Sequence, residues 1–228
     1  MPKSPLVVCA LVLAFLAFSI PAKADSVPIV NGDFSQLGAP LSNSCGTGCA
    51  WNTGPIPGWT ISGVAGTQIL NSTYYTSPAP GPGTMAYING GTISQNLGVA
   101  LLPDSTYMLS VYVGHRLDGT PDGDITTFSF GLDNGTLLAS ESNSTSSIAA
   151  GTFALQTFSF TTGSIVSPGV LTISLGDASQ QADFTDVSLS VVPAPETSSL
   201  LLLGIGLLGL LALGWRSRKH LAHAKTIF

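Results

Sequence analysis

The chain has 228 residues, and its 44% hydrophobic and 8% charged fractions average three unlike segments. Both ends are nearly pure apolar runs, while the middle is a Gly-, Ser- and Thr-rich stretch of about 170 residues, enough for one domain with its own core. Eleven carboxylates lie between Asp25 and Asp186, with Arg116 as the one basic residue among them. Such a surface repels phosphate backbones, which argues against nucleic acid as a partner.

At the N-terminus Lys3 precedes an apolar run from Leu6 to Ile20, closed by Pro21 and Ala22-Lys23-Ala24. A positive charge, a short apolar stretch and small residues at −3 and −1 form a secretory signal (residues 1–24), handled by the Sec machinery and signal peptidase. The mature chain is expected to begin at Asp25. Cys9 falls in the removed segment, leaving Cys45 and Cys49 in CGTGC. In an oxidising compartment such a pair forms a disulfide, with free thiols the alternative. A loop this short gains little stability from closure, so the bridge reads as a local clip.

The middle segment, residues 25–192, shows no useful helical period. Short runs rich in Thr, Val, Tyr and Phe alternate with Gly, Pro, Asn and Asp, and predict strands at Ser26–Val30, Trp59–Ser62, Gly83–Ile88, Thr92–Leu97 and Tyr107–Val113. Further strands are predicted at Ile125–Leu132, Thr136–Glu141, Thr152–Thr161, Val170–Leu175 and Phe184–Val192. Asn89-Gly90-Gly91 and Ser167-Pro168-Gly169 read as turns, and Asn134-Gly135 as a type I′ hairpin. Strands at this spacing make an all-β antiparallel sandwich of jelly-roll type.

Several side chains in this segment could carry chemistry. Asp118, Asp122 and Asp124 in DGTPDGD could hold calcium, although their spacing is not that of an EF-hand and a solvated turn is the plainer reading. His115 is the segment's one histidine and reads as a satisfied strand-end residue, and Arg116 as the partner of a nearby acid. Glycan binding needs exposed aromatic faces, for which Trp51, Tyr74 and Tyr75 are the leading candidates, with Tyr87 and Tyr112 behind them; Trp59 reads as core. A glycoside hydrolase needs two carboxylates flanking a cleft, yet the segment has a single Glu, Glu141, and its Asp residues sit mainly at turns. No nucleophile with a base and no phosphate-binding loop is present. A non-catalytic domain is therefore expected.

From Leu200 to Trp215 the chain is apolar throughout, and Arg216, Arg218 and Lys219 follow at once. With the preceding small residues this makes a short span at 198–215, whose basic end the positive-inside rule places in the cytoplasm. Residues 221–228 form a cytoplasmic tail, and the acidic domain lies outside the inner membrane.

The stretch VPAPETSSLLLLGIGLLGLLALGWRSRK resembles the PEP-CTERM sorting signal, in which a Pro-Glu-Pro motif precedes a Leu/Gly-rich span and a basic cluster. Pro195 and Glu196 match the first two motif positions and Thr197 replaces the second proline. The resemblance, over 193–220, implies cleavage by an exosortase-like membrane protease and a host that makes exopolysaccharide. The middle segment resembles galactose-binding-like jelly rolls of carbohydrate-binding modules, through Val30-Asn31-Gly32-Asp33-Phe34, Pro57-Gly58-Trp59, Thr106-Tyr107-Met108-Leu109-Ser110 and Asp183-Phe184-Thr185-Asp186-Val187-Ser188-Leu189. That resemblance implies a structural calcium between the opening and closing segments, with Asp33 and Asp186 as the remaining ligands. The expected function is an exported envelope or matrix protein that binds carbohydrate, exopolysaccharide among the partners, or acts structurally. The alternative is a polysaccharide-active hydrolase on the same scaffold.

Overall fold

The computed structural model describes residues 23–118, 125–178, 181–194, 204–206 and 209. The signal segment therefore lies outside the described residues up to Ala22. So do Pro195, Glu196, Thr197, Arg216, Arg218 and Lys219, most of the 198–215 span, and the tail. Among the described residues no helix is long and apolar enough to cross a membrane. One compact unit runs from Ala24 to Pro193.

That unit is built from antiparallel strands: β1 (Asp25–Val27), β2 (Asn43–Gly46), β3 (Cys49–Thr53), β4 (Thr60–Ile69), β5 (Met85–Ala100) and β6 (Ser105–His115). Then come β7 (Ile125–Leu132), β8 (Leu137–Ser144), the 3-10 turn Thr145–Ser147, β9 (Thr152–Thr161), β10 (Val170–Asp177) and β11 (Ala182–Pro193). In one sheet the second half of β5 pairs with β10, followed by β7 and β8. In the other, β3, the second half of β4, the first half of β5, β11, β6 and β9 lie side by side, with β1 on the far part of β11.

The two sheets face each other through period-2 alternation. Along β7 every second residue is buried, so Phe128, Phe130 and Leu132 point inward. Phe130 stacks on Phe158 of β9 at 5.1 Å between centroids, and Phe128 meets Phe184 of β11 edge-on at 6.3 Å. Ile173, Leu175, Leu109 and Val111 fill the space between them. Each such side chain contributes about 1.5–3 kcal/mol on burial, so this seam holds the sandwich together.

Four differences from the sequence expectation have physical causes. The strands predicted on either side of Asn89-Gly90-Gly91 are one ladder element, β5, because the paired β4–β5 ribbon folds over there and passes from one sheet to the other. Gly90 and Gly91 take positive φ (72° and 139°), and a Cβ on Gly91 would collide with the Ser62 carbonyl. Strands β2 and β3 were not predicted, since a Gly/Cys-rich hairpin has no apolar alternation to read. At Asn134-Gly135 only Gly135 has positive φ (85°), and its N–H bonds to the Leu132 carbonyl at 2.9 Å. The turn is therefore not type I′ but a tight turn followed by a left-handed bulge residue. Lastly, β11 begins two residues before the predicted Phe184, and this takes Asp183 into the sheet.

Strand β11 starts with Asp183 beside Gly114, near the end of β6, and finishes with Pro193 beside Ser105, its beginning. The sandwich thus has an Arg116 end and a Pro193 end.

Candidate functional site

The register places Thr53, Gly66, Tyr87, Asp183, Gly114 and Phe153 in one row across β3, β4, β5, β11, β6 and β9. Their sequence neighbours Ala86, Ile88, Ala182, Phe184 and Val113 are buried in the core. By alternation the row itself therefore faces the other side of the sheet. Two steps further along the same face come Asn89, Gln181 and Arg116, and two steps back Trp51 and Gln68.

The two glycines of the row make room. A Cβ on Gly114 would strike the Tyr75 hydroxyl, and one on Gly66 would lie 2.9 Å from the Tyr87 ring. Tyr75 comes from the Asn71–Ser77 turn, which lies over the row. The Asn71 side chain organises that turn: its Oδ1 accepts from Thr73 N at 3.0 Å and its Nδ2 donates to the Thr47 carbonyl at 2.9 Å. The backbone adds Leu117 N to the Tyr74 carbonyl at 2.9 Å and Thr76 N to the Gly151 carbonyl at 2.9 Å. Tyr75 then stacks on Phe153 at 4.4 Å.

At the centre is Asp183, only 1% exposed. Its Oδ1 accepts from Gln68 Nε2 at 2.6 Å and Gln181 Nε2 at 3.0 Å, and its Oδ2 accepts from the Tyr75 hydroxyl at 2.7 Å. Burial raises the Asp183 pKa; the hydrogen bonds from Tyr75 and Gln181 and the Arg116 charge oppose the shift without cancelling it. Burial, followed by the Asp183 carboxylate beside it, pushes Tyr75 well above the ordinary phenol range.

Beside Asp183 opens a pocket of about 320 Å³ whose wall includes Trp51, Tyr74, Tyr87, Gln68, Gln181, Asn89 and Arg116, with Cys45 at its rim. Trp51 stands edge-on to Tyr87 at 6.2 Å, and the Tyr87 hydroxyl pairs with Thr53 Oγ1 at 2.7 Å. Arg116 lies over the Tyr74 ring, Cζ 4.5 Å from its centroid, and donates from Nε and Nη2 to Asp118 at 3.0 and 2.6 Å. The guanidinium is thereby held between the Tyr74 ring and the Asp118 carboxylate.

Of the residues singled out in the sequence, Trp51 and Tyr74 line this pocket, whereas Tyr75 is 5% exposed and turned onto Asp183. Cys45 and Cys49 are disulfide-bonded, with Cα atoms 5.1 Å apart. His115 is 7% exposed, with Nδ1 2.6 Å from the Ile148 carbonyl. Asp118 is engaged with Arg116, while Asp122 and Asp124 lie outside the described residues. Asp33 Oδ1 accepts from Ser35 N and Oγ at 3.1 and 2.9 Å, and Asp186 sits at a β11 irregularity with φ 52°. Among the described residues no group of three or more His, Cys, Asp and Glu converges to hold a metal ion. Sequence reasoning missed Asp183, Gln68 and Gln181 as a cluster. The available signal was a carboxylate between Ala182 and Phe184, two strongly core-forming positions.

Comparison with known proteins adds two family matches. Residues 25–190 match the HpiC1-like family, described as HpiC1 cyclase, and residues 191–219 match the PEP-CTERM protein-sorting motif. The second implies an exported protein, membrane-anchored and then processed by an exosortase-like protease. No curated protein matches the chain. Among solved structures, a cyclase from Fischerella sp. TAU shares 23% identity at a TM-score of 0.61, over 75% of this chain and 99% of that one. A second, in complex with 4-(1H-indol-3-yl)butan-2-one, shares 22% identity at 0.58, over 75% and 98%. A CBM4 domain gives 17% identity and a TM-score of 0.43, over 72% and 99%. The sandwich fold is thus shared with the two cyclase structures.

Proposed function

The chain belongs to the HpiC1-like family, and on that premise we propose that its sandwich is an exported acid catalyst of ring closure or rearrangement, acting on a small, flat, unsaturated ligand. The observation that carries this is Asp183, a buried carboxyl with a raised pKa beside an aromatic-walled pocket. A carboxyl with a raised pKa keeps its proton to higher pH than an ordinary aspartate, and in that form it donates a hydrogen bond where the ionised form only accepts. Gln68 and Gln181 separate it from the pocket. When the Gln181 amide swings away, Oδ1 faces the ligand directly, while Gln68 still holds it in place.

The chemistry needs one group that gives a proton and takes one back. The Asp183 carboxyl protonates the unsaturated ligand, and the carboxylate left behind accepts the proton that the cyclised cation loses, so the mass is unchanged. Positive charge developing on a carbon skeleton during ring closure is steadied by the rings of Trp51 and Tyr87, and water is held out by the Asn71–Ser77 turn. Ring closure does not require the paired carboxylates of a glycoside hydrolase. The hydrolase alternative gains no support from the pocket, where among the described residues Asp183 has no second carboxylate beside it other than Asp118, which is held by Arg116.

A second reading is glycan binding without turnover, favoured by Trp51 and Tyr74 standing beside the amides of Gln68, Asn89 and Gln181 in one cleft. Aromatic faces cover sugar rings and amides pair with hydroxyls, and an exopolysaccharide is the natural source at a cell surface.

Titrating the protein and its Asp183→Asn variant with 4-(1H-indol-3-yl)butan-2-one and with neutral oligosaccharides separates the readings. The acid reading expects the ketone to bind both proteins. It also expects unsaturated analogues to be converted to products of unchanged mass by the wild type alone. Oligosaccharide binding alone, with no conversion of any analogue, would replace it with the second reading.

A further inference from the structure

We propose that the Pro193 end of the sandwich rests on a lipid surface, so that the pocket, on the outer face of the sheet toward the Arg116 end, is held clear of the membrane. Three independent observations support this.

The first is the length of chain available. The sorting motif begins at Val191, inside β11, where Val191 pairs with Tyr107 and Asp25 and Pro193 pairs with Ser105. The apolar run begins at Leu200, seven residues after Pro193. Seven residues span at most about 25 Å in any conformation, so the last ladder pair cannot lie farther than that from the start of the apolar run. Asp25, where the mature chain is expected to begin, also lies at this end, opposite Val191.

The second is what this end exposes. Within the unit Ala24–Pro193 the two most exposed large apolar side chains are Ile165, at 91%, and Leu137, at 63%. Leu137 sits beside the Asp133–Thr136 turn, and Ile165 lies in the loop between β9 and β10. Leu102, at 46%, belongs to the neighbouring loop between β5 and β6. These last two loops are stapled together: Asp104 N donates to the Gly163 carbonyl at 3.0 Å, and Thr162 Oγ1 donates to the Leu102 carbonyl at 2.7 Å. Their apolar tips are held outward by a hydrogen-bonded base, an arrangement suited to entering an interface.

The third is a shallow groove of about 230 Å³ at the same end, lined by Val27, Pro28, Val99, Ala100, Leu102 and Tyr107. Its walls are mostly apolar. The charges nearby are Asp25, Asp104 and Asp133, so contact with lipid is apolar rather than electrostatic.

The functional consequence follows from strand length. Ten residue steps along β6 separate Ser105 from His115, about 33 Å at 3.3 Å per residue. Ligands then reach the pocket from the aqueous side before the sorting tag is cut, and the tethered form is competent.

The test uses the full chain in phosphatidylethanolamine–phosphatidylglycerol vesicles, with an environment-sensitive dye at Ile165→Cys, Leu102→Cys or Leu155→Cys on a Cys9→Ala background. The proposal expects blue-shifted emission and quenching by spin-labelled lipid at 165 and 102. It expects water-like emission at 155, an exposed position toward the other end of β9, and quenching at 165 and 102 that does not strengthen as the phosphatidylglycerol fraction rises. Water-like emission at all three positions would overturn it, as would equal quenching at all three, which would mean the sandwich lies on its side.

Discussion

The Tyr75 hydroxyl donates to Oδ2 of Asp183 at 2.7 Å, joining two residues 108 positions apart in the sequence. The bond ties the turn over the site to the first residues of β11, and it favours the ionised carboxylate. In Tyr75→Phe the Asp183 pKa should rise further. With a buried acceptor left short of one donor, the fold should lose about 1–3 kcal/mol. Carboxyl-resolved NMR titration and urea unfolding measure the two effects separately.

Asp183 also sets a pH dependence. Its folded pKa is raised, so between about 3.9, the unfolded value, and the folded value the native state binds more protons than the unfolded state. Stability from this group is therefore greatest below that window and falls as pH rises through it. Asp183→Asn removes this slope, so its stability relative to wild type should climb from pH 4 upward and level off above the folded pKa. Tyr75, also raised, adds a second loss above about pH 10, where the unfolded phenol ionises first. Urea midpoints across pH 4–11 check both.

Gly114→Ala puts a methyl group where the Tyr75 hydroxyl lies. Overpacking of this kind costs about 1–3 kcal/mol, and the displaced tyrosine should lose its stacking on Phe153. The expected signature is a drop in unfolding midpoint together with a change in the near-ultraviolet tyrosine signal.

Opening the Cys45–Cys49 clip should cost at most about 2 kcal/mol because its loop is so short. Its local effect should be larger: Cys45 borders the pocket, and the Thr47 carbonyl holds Asn71, which organises the turn carrying Tyr74 and Tyr75. Reduction, or Cys45→Ser with Cys49→Ser, should shift Trp51 emission, with a global loss no larger than about 2 kcal/mol in urea unfolding.

Much of the sandwich was legible because its strands alternate. Ile125–Leu132 and Thr152–Thr161 were predicted to the residue, since Phe128, Phe130 and Phe158 announce a buried face. The β2–β3 hairpin and the second half of β4 were not, because Ser62-Gly63-Val64-Ala65-Gly66 reads as a loop when strand order is unknown. The site was hidden for a different reason. Thr53, Gly66, Tyr87, Asp183, Gly114 and Phe153 share a row only through cross-strand register, a long-range property that no local period carries. Trp51 and Tyr74 could be picked out as exposed aromatics, but the direction of Tyr75 depended on the glycine opposite it.

The most direct test of the acid site is the titration of the Asp183 side-chain carbon resonance, with and without 4-(1H-indol-3-yl)butan-2-one. The account predicts a midpoint above the ordinary aspartate range, and a resonance that moves when the ketone enters the pocket. An Asp183 that titrates as an ordinary aspartate and does not respond to the ketone would contradict it.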